Sequence, residues 1–97
     1  MSKILVAAVQ MTSTEDVDAN LDRAEALAGQ AISRGASLVV LPELFTALGE
    51  PEHITAAAQP IPGPASMRMS CLAANAGITL VAGSLAECRD GRDRISN

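Results

Sequence analysis

Two short, uninterrupted apolar runs with a stretch of helical periodicity between them constrain this chain more than any other feature. The first run, Ile4-Leu5-Val6-Ala7-Ala8-Val9, lies inside a strand expected from Lys3 to Gln10; the second, Leu38-Val39-Val40-Leu41, lies inside one from Ser37 to Leu41. A strand with one wet face alternates apolar and polar residues, so a run without alternation suits a strand covered on both faces. Between them, Val17, Leu21, Ala24, Ala28, Ala31 and Ile32 fall on one face of a helix from about Asp16 to Arg34, with Leu27 beside them. Asp18, Asp22, Arg23 and Glu25 lie largely elsewhere. Thr12 and Glu15 have the spacing of a capping box, with Ser13 or Thr14 as alternative caps. Arg34 suits the last turn and Gly35 the position just past the end. Pro42 stops the second strand. Strand, helix, strand in this order predicts parallel strands joined by a right-handed crossover, and an α/β fold.

The segment 46–63 is polar and small-residue rich, with Pro51, Pro60, Pro62 and Gly63, and its alanines 56 to 58 allow one helical turn. A second helix is expected from Ala65 to about Ala76, with Met67, Cys71, Leu72 and Ala74 inward and Gly77 at its end. Ile78 to Leu85 reads as a third strand, and Arg89-Asp90-Gly91-Arg92 as a turn built on the Asp-Gly hairpin signal. Arg94 to Asn97 then begins a fourth strand, antiparallel to the third. No repeat or linker divides residues 1–97, which read as one piece of a single domain, cut within an element.

Composition narrows the functional classes. With 97 residues, 48% of them hydrophobic, the chain is not of the disordered type. Phe45 is the only aromatic and much of the apolar content is alanine, so the core is expected to be thin and to need more chain or a partner. A net charge of −4 without a basic patch or an aromatic stacking set argues against nucleic-acid binding. No apolar run approaches a membrane span. Met1 to Met11 has a short apolar stretch without a small-residue cleavage site, which argues against a secretory signal. Cys71 and Cys88 have neither metal nor redox spacing and read as reduced thiols of a cytoplasmic protein. A nucleotide-binding domain would place a glycine-rich loop between Gln10 and the first helix, and none is there.

In an open α/β sheet, sites form at the carboxyl ends of parallel strands. Glu43 follows the second run and its Pro42. A carboxylate partly withdrawn from water there has its pKa raised from a reference near 4.3, toward the range useful for a general base. The same residue also reads as a solvated loop carboxylate or a helix cap. His53 reads as a lone solvated loop histidine. Glu87 is expected to end a strand and serve the fold, with contact to an active site as the alternative. Phe45 either lines a pocket or packs.

The segment Gly35-Ala36-Ser37-Leu38-Val39-Val40-Leu41-Pro42-Glu43-Leu44-Phe45 resembles the first motif of the nitrilase superfamily of carbon–nitrogen hydrolases, as does the opening Val6-Ala7-Ala8-Val9-Gln10-Met11. Pro60-Ile61-Pro62-Gly63-Pro64 before a helix, and Gly77-Ile78-Thr79-Leu80-Val81-Ala82-Gly83-Ser84 with Glu87 after it, are similar to the family in order and spacing. Gln10-Met11-Thr12-Ser13-Thr14 resembles the branch of amidases acting on deaminated glutathione and related ω-amides. The resemblance implies an α-β-β-α sandwich, of which these residues would form the amino-terminal part. It also implies a Glu–Lys–Cys triad with Glu43 as the catalytic glutamate. Lys3, the only lysine, does not match the triad, and neither Cys71, expected on an inner helix face, nor Cys88, at a strand end, has the nucleophile's context. The implied chemistry is amidase-type hydrolysis of a small amide without metal or organic cofactor. Hydrolysis of a nitrile or an N-carbamoyl amide, acyl transfer, and a non-catalytic fragment are the alternatives. A homo-oligomer is implied for the intact protein.

Overall fold

A computed structural model describes residues 3–89 and 92–96. Strand β1 (Leu5–Ala8) leads into helix α1 (Val17–Ser33) and strand β2 (Ala36–Val40). A short helix α2 (Pro51–Ala56), helix α3 (Pro64–Ala76), strand β3 (Thr79–Val81) and a hairpin of β4 (Leu85–Arg89) and β5 (Arg92–Ser96) follow. β1, β2 and β3 form one parallel sheet in that order, and β4 and β5 an antiparallel pair of their own. The parallel strands expected on either side of α1 are therefore present: β1 is shorter than its run Ile4–Val9, whereas β2 begins two residues before Leu38 and ends one short of Leu41.

The register sets which side chains share a face. Ala7, Val39 and Leu80 stand side by side, as do Ala8, Val40 and Val81. Successive side chains of a strand point to opposite faces, so the first row lies under the helices and the second on the other side. Val39, fully buried with Ala28 and Ala36, is the centre of the covered row. A second cluster joins Leu21 and Ala24 of α1 to Leu41, Phe45, Ala65, Met69 and Leu85. Val39 and Phe45 are the largest fully buried side chains, each stabilising by about 1.5–3 kcal/mol. The opposite row stays open: Val6 is 50% exposed and Val81 47%.

Helix α1 has the expected inner face, but its cap is Asp16 rather than Thr12, Ser13 or Thr14. The Asp16 side chain accepts the Ala19 N–H at 3.1 Å, while Thr14 is taken up with Asn20 and with the Asp16 N–H. The expected loop 46–63 holds α2 instead of a turn at the alanines, because Pro51 suits the first helical turn, where its missing N–H is not needed. Helix α3 is rotated from its expected phase. Ala65 and Met69 are buried and Leu72 half-buried, whereas Met67 and Cys71 are exposed, as is Ala74. The contact with α1 and β3 selects the stripe Ala65, Met69, Leu72 over the equally apolar one beside it.

The strand expected from Ile78 to Leu85 is broken. After β3 the chain turns at Gly83, whose φ is +55°, and Leu85 enters the hairpin rather than the parallel sheet. A Cβ on Gly83 would lie 1.9 Å from the Pro42 carbonyl oxygen, so both φ and proximity require glycine here. β5 runs antiparallel to β4, in a sheet of their own, and not to the strand Ile78 to Leu85 against which the fourth strand is expected; the break at Gly83 separates the two. The turn residues Asp90 and Gly91 lie outside the described residues, as do Met1, Ser2 and Asn97.

Candidate active site

β2 ends at Val40; Leu41 donates its N–H to the Val81 carbonyl at 2.8 Å, and the chain then leaves the sheet through Pro42. Residues 43–46 form a turn in which Leu44 has φ +47°. A left-handed backbone at a residue with a Cβ costs about 1–2 kcal/mol, so the surroundings must hold it. They do so at consecutive positions. The Leu44 N–H donates to Ser84 Oγ at 3.0 Å, and Ser13 Oγ donates to the Phe45 carbonyl at 3.0 Å. Asn20 Nδ2 donates to the Thr46 carbonyl at 2.8 Å, and the Leu48 N–H donates to the Thr14 carbonyl at 2.8 Å. Phe45, Thr46 and Ala47 are all buried.

Asn20 anchors this arrangement. It is 3% exposed, and besides Thr46 it donates to the Thr14 carbonyl at 2.7 Å and accepts from the Thr14 N–H at 2.9 Å and hydroxyl at 3.2 Å. A buried amide is tolerated when its donors and acceptor are paired, and here one side chain ties the loop before α1 to the turn after β2. Sequence reading missed Asn20, Ser13 and Ser84. Asn20 had a signal, a polar residue on the inner stripe between Val17 and Leu21. The two serines had none, because their partners lie 32 and 40 residues away.

Glu43 sits on this fixed turn with its side chain exposed. The partial withdrawal from water expected from its position is therefore not provided by these residues, and the alternative of a solvated loop carboxylate describes it here. It lines neither of two surface concavities. One, of about 320 Å³, lies between the edge of β1 and α1; the other, of about 240 Å³, lies beside Phe45, Met69 and Leu85.

The remaining candidates separate from Glu43. His53, half-buried in α2, is not solvated alone: its Nδ1 is 3.0 Å from Glu15 Oε2, an ion pair when the ring is protonated. Glu87 lies within β4 rather than at its end. It is buried, faces Arg94 across the hairpin and accepts from Arg94 Nε at 2.9 Å, which gives it a role in the fold. Phe45 packs in the core cluster and its ring also walls the 240 Å³ concavity. Cys71 and Cys88 are both free and exposed, which corrects the inward placement of Cys71. Gln59 pairs its backbone with β4 and accepts the Ala65 N–H on its side chain at 2.9 Å, joining the hairpin to the start of α3. Among the described residues no three His, Cys, Asp or Glu side chains converge as a metal site would require, and no helix is long and apolar enough to cross a membrane.

Comparison with known proteins covers nearly the whole chain. The carbon-nitrogen hydrolase family matches residues 5–97. The omega-amidase NIT2 of Danio rerio is 37% identical over 92 residues, covering 95% of this chain and 33% of the relative. The deaminated glutathione amidase of Synechocystis is 36% identical over 83 residues, covering 86% of this chain and 30% of that protein. The crystal structure of Saccharomyces cerevisiae Nit3, a member of branch 10 of the nitrilase superfamily, superposes with a TM-score of 0.79 at 30% identity, over 97% of this chain and 37% of Nit3. The chain thus spans about a third of the length of the curated relatives it matches.

Proposed function

Because the chain belongs to the carbon-nitrogen hydrolase family, we propose that it forms the amino-terminal part of an amidase-type enzyme in which Glu43 is the general base. One observation carries the assignment of the residue: Glu43 stands exposed at the carboxyl end of a parallel strand, on a strained turn held at Leu44, Phe45 and Thr46. Strain of this kind persists where the surroundings over-determine it, and it clusters at functional sites.

In this reading the family's lysine and cysteine come from polypeptide beyond these residues, which would also cover the open end of the sheet and withdraw Glu43 from water. Glu43 takes the thiol proton, and the thiolate attacks the amide carbonyl carbon. The lysine stabilises the oxyanion. Ammonia or an amine leaves with a proton, a thioester remains, and water deprotonated by the same glutamate releases the acid. The names of the relatives favour a short ω-amide as substrate over a nitrile or an N-carbamoyl amide. The intact protein is proposed to be cytoplasmic and homo-oligomeric.

The test is Glu43→Gln in the intact polypeptide, assayed on short ω-amides. Loss of a general base typically lowers kcat by about 10²–10⁴-fold, with the fold unchanged by circular dichroism. Full activity with glutamine at this position would show that Glu43 is not the base.

A further inference from the structure

The hydrogen bond between the Leu44 N–H and Ser84 Oγ is made by a residue to which the reading above gives no part. Ser84 is 7% exposed and lies between the parallel sheet and the hairpin, immediately after the left-handed Gly83. Its hydroxyl meets the first peptide N–H after Glu43, at the one residue of the turn whose backbone is strained. The approach is close by construction, since Gly83 presses on the Pro42 carbonyl so tightly that no Cβ fits. Pro42 and Leu44, the two neighbours of Glu43, are thus both gripped by the dipeptide Gly83-Ser84.

We propose that Ser84 is a positioning residue for Glu43, its buried hydroxyl holding Leu44 in the left-handed conformation that aims the carboxylate. This rests on the reading of Glu43 as the base. Without the hydroxyl, the Leu44 N–H loses the acceptor that Ser84 supplies; the remaining tethers hold Phe45, Thr46 and Leu48 rather than Leu44 itself, so φ of Leu44 is free to relax toward the ordinary negative region. That relaxation rotates the peptide joining Leu44 to Glu43 and swings the Glu43 side chain. Proton transfer demands hydrogen-bond reach, and a displacement of about 1 Å can cost roughly 10²-fold in rate. A residue acting in this way affects kcat and leaves KM alone, because it touches no part of the substrate.

The experiment compares Ser84→Ala, Ser84→Cys and Ser84→Thr in the intact polypeptide with Glu43→Gln alongside. Expected for Ser84→Ala is a kcat lower by roughly 10–100-fold at unchanged KM, together with faster amide exchange at Leu44 by NMR. Ser84→Thr, which keeps the hydroxyl, should retain most of the activity and the Leu44 protection. A folded Ser84→Ala protein with wild-type kcat and unchanged Leu44 exchange overturns the proposal. Should the alanine variant not fold, Ser84→Cys decides, since sulfur keeps the shape but accepts weakly: lowered kcat supports the role and wild-type kcat overturns it. An inactive Glu43→Gln with unaffected Ser84→Ala removes Ser84 alone, whereas a fully active Glu43→Gln removes the base and with it anything to position.

Discussion

The open row of the parallel sheet should make the 97-residue chain associate, and two substitutions should disperse it. Val6 and Val81 sit on the two outer strands of the sheet, on the face no helix covers, at 50% and 47% exposure. Full burial of a valine stabilises by about 1.5–3 kcal/mol, so each half-exposed valine leaves about 0.7–1.5 kcal/mol to be gained by contact. In a face-to-face pair both copies contribute both valines, giving about 3–6 kcal/mol, or two to four decades in the association constant. Leu38 and Val40, half-buried between them, add to the patch. Against this work the net charge of −4 and the entropy cost of association. Val6→Lys with Val81→Lys removes the gain and adds the desolvation of two ammonium groups, while leaving the helix-covered face untouched. Size-exclusion chromatography with light scattering, from micromolar to submillimolar chain, should show mass rising with concentration for the unmodified chain and monomer for the double variant. A monodisperse unmodified chain with a sharp, cooperative melt would refute the reasoning and mark these residues as self-sufficient. So would a double variant that associates as strongly as the original.

Asn20→Ala, made in the dispersed double variant, should lower stability by about 2–4 kcal/mol, since four hydrogen bonds go at roughly 0.5–1.5 kcal/mol each with the exposed Thr14 groups partly recovered by water; urea unfolding measures it. Gly83→Ala should cost at least about 2–3 kcal/mol from the φ of +55° and the Pro42 clash, and should speed Leu44 amide exchange. Arg68→Ala removes bonds to Glu25 and Asp22 but should cost only about 0–1 kcal/mol per pair, and less in high salt, because the Arg68 side chain is one-third exposed and its partners more so. Hydrogen bonds to Asp22 and then Glu25 raise the Arg68 pKa above its ordinary value. A raised basic pKa keeps its stabilisation below the unfolded pKa and loses it only above, so this contribution should stay flat in pH titrations through the neutral and mildly alkaline range. The purified chain alone should hydrolyse no short ω-amide or nitrile, since neither Lys3 nor its cysteines match the triad; turnover abolished by Glu43→Gln would contradict this.

What the sequence revealed was what local pattern encodes. The runs at Ile4–Val9 and Leu38–Leu41 and the stripe of α1 are properties of neighbouring residues, and they gave the parallel strands and placed Glu43 at a strand end. The phase of α3 was illegible because Met67, Met69, Cys71 and Leu72 offer two apolar stripes, and only the surface they meet chooses. The break at Gly83 was hidden because Ile78 to Leu85 is mostly apolar and reads as one strand, and the Pro42 carbonyl that forces glycine there lies some forty residues earlier in the chain. The exposure of Glu43 was left between a withdrawn and a solvated carboxylate for a related reason: depth at a strand end depends on what covers it, and position along the chain does not report that.

The hydrogen bonds around Glu43 also bear on how the chain folds. Those from Asn20 to Thr46, from Ser13 to Phe45 and from Leu44 to Ser84 close loops of 26, 32 and 40 residues. Loop-closure entropy grows only as the logarithm of length, so the longest costs about 0.4 kcal/mol more than the shortest. No tether has a head start, and each becomes favourable only once α1 and β3 flank β2. We expect the Thr14, Leu44 and Leu48 amides to gain protection in one kinetic phase during refolding, and separate phases would show the tethers to be independent. A chain emerging from the ribosome lacks the tether at Leu44, next to Glu43, until Ser84 has been made.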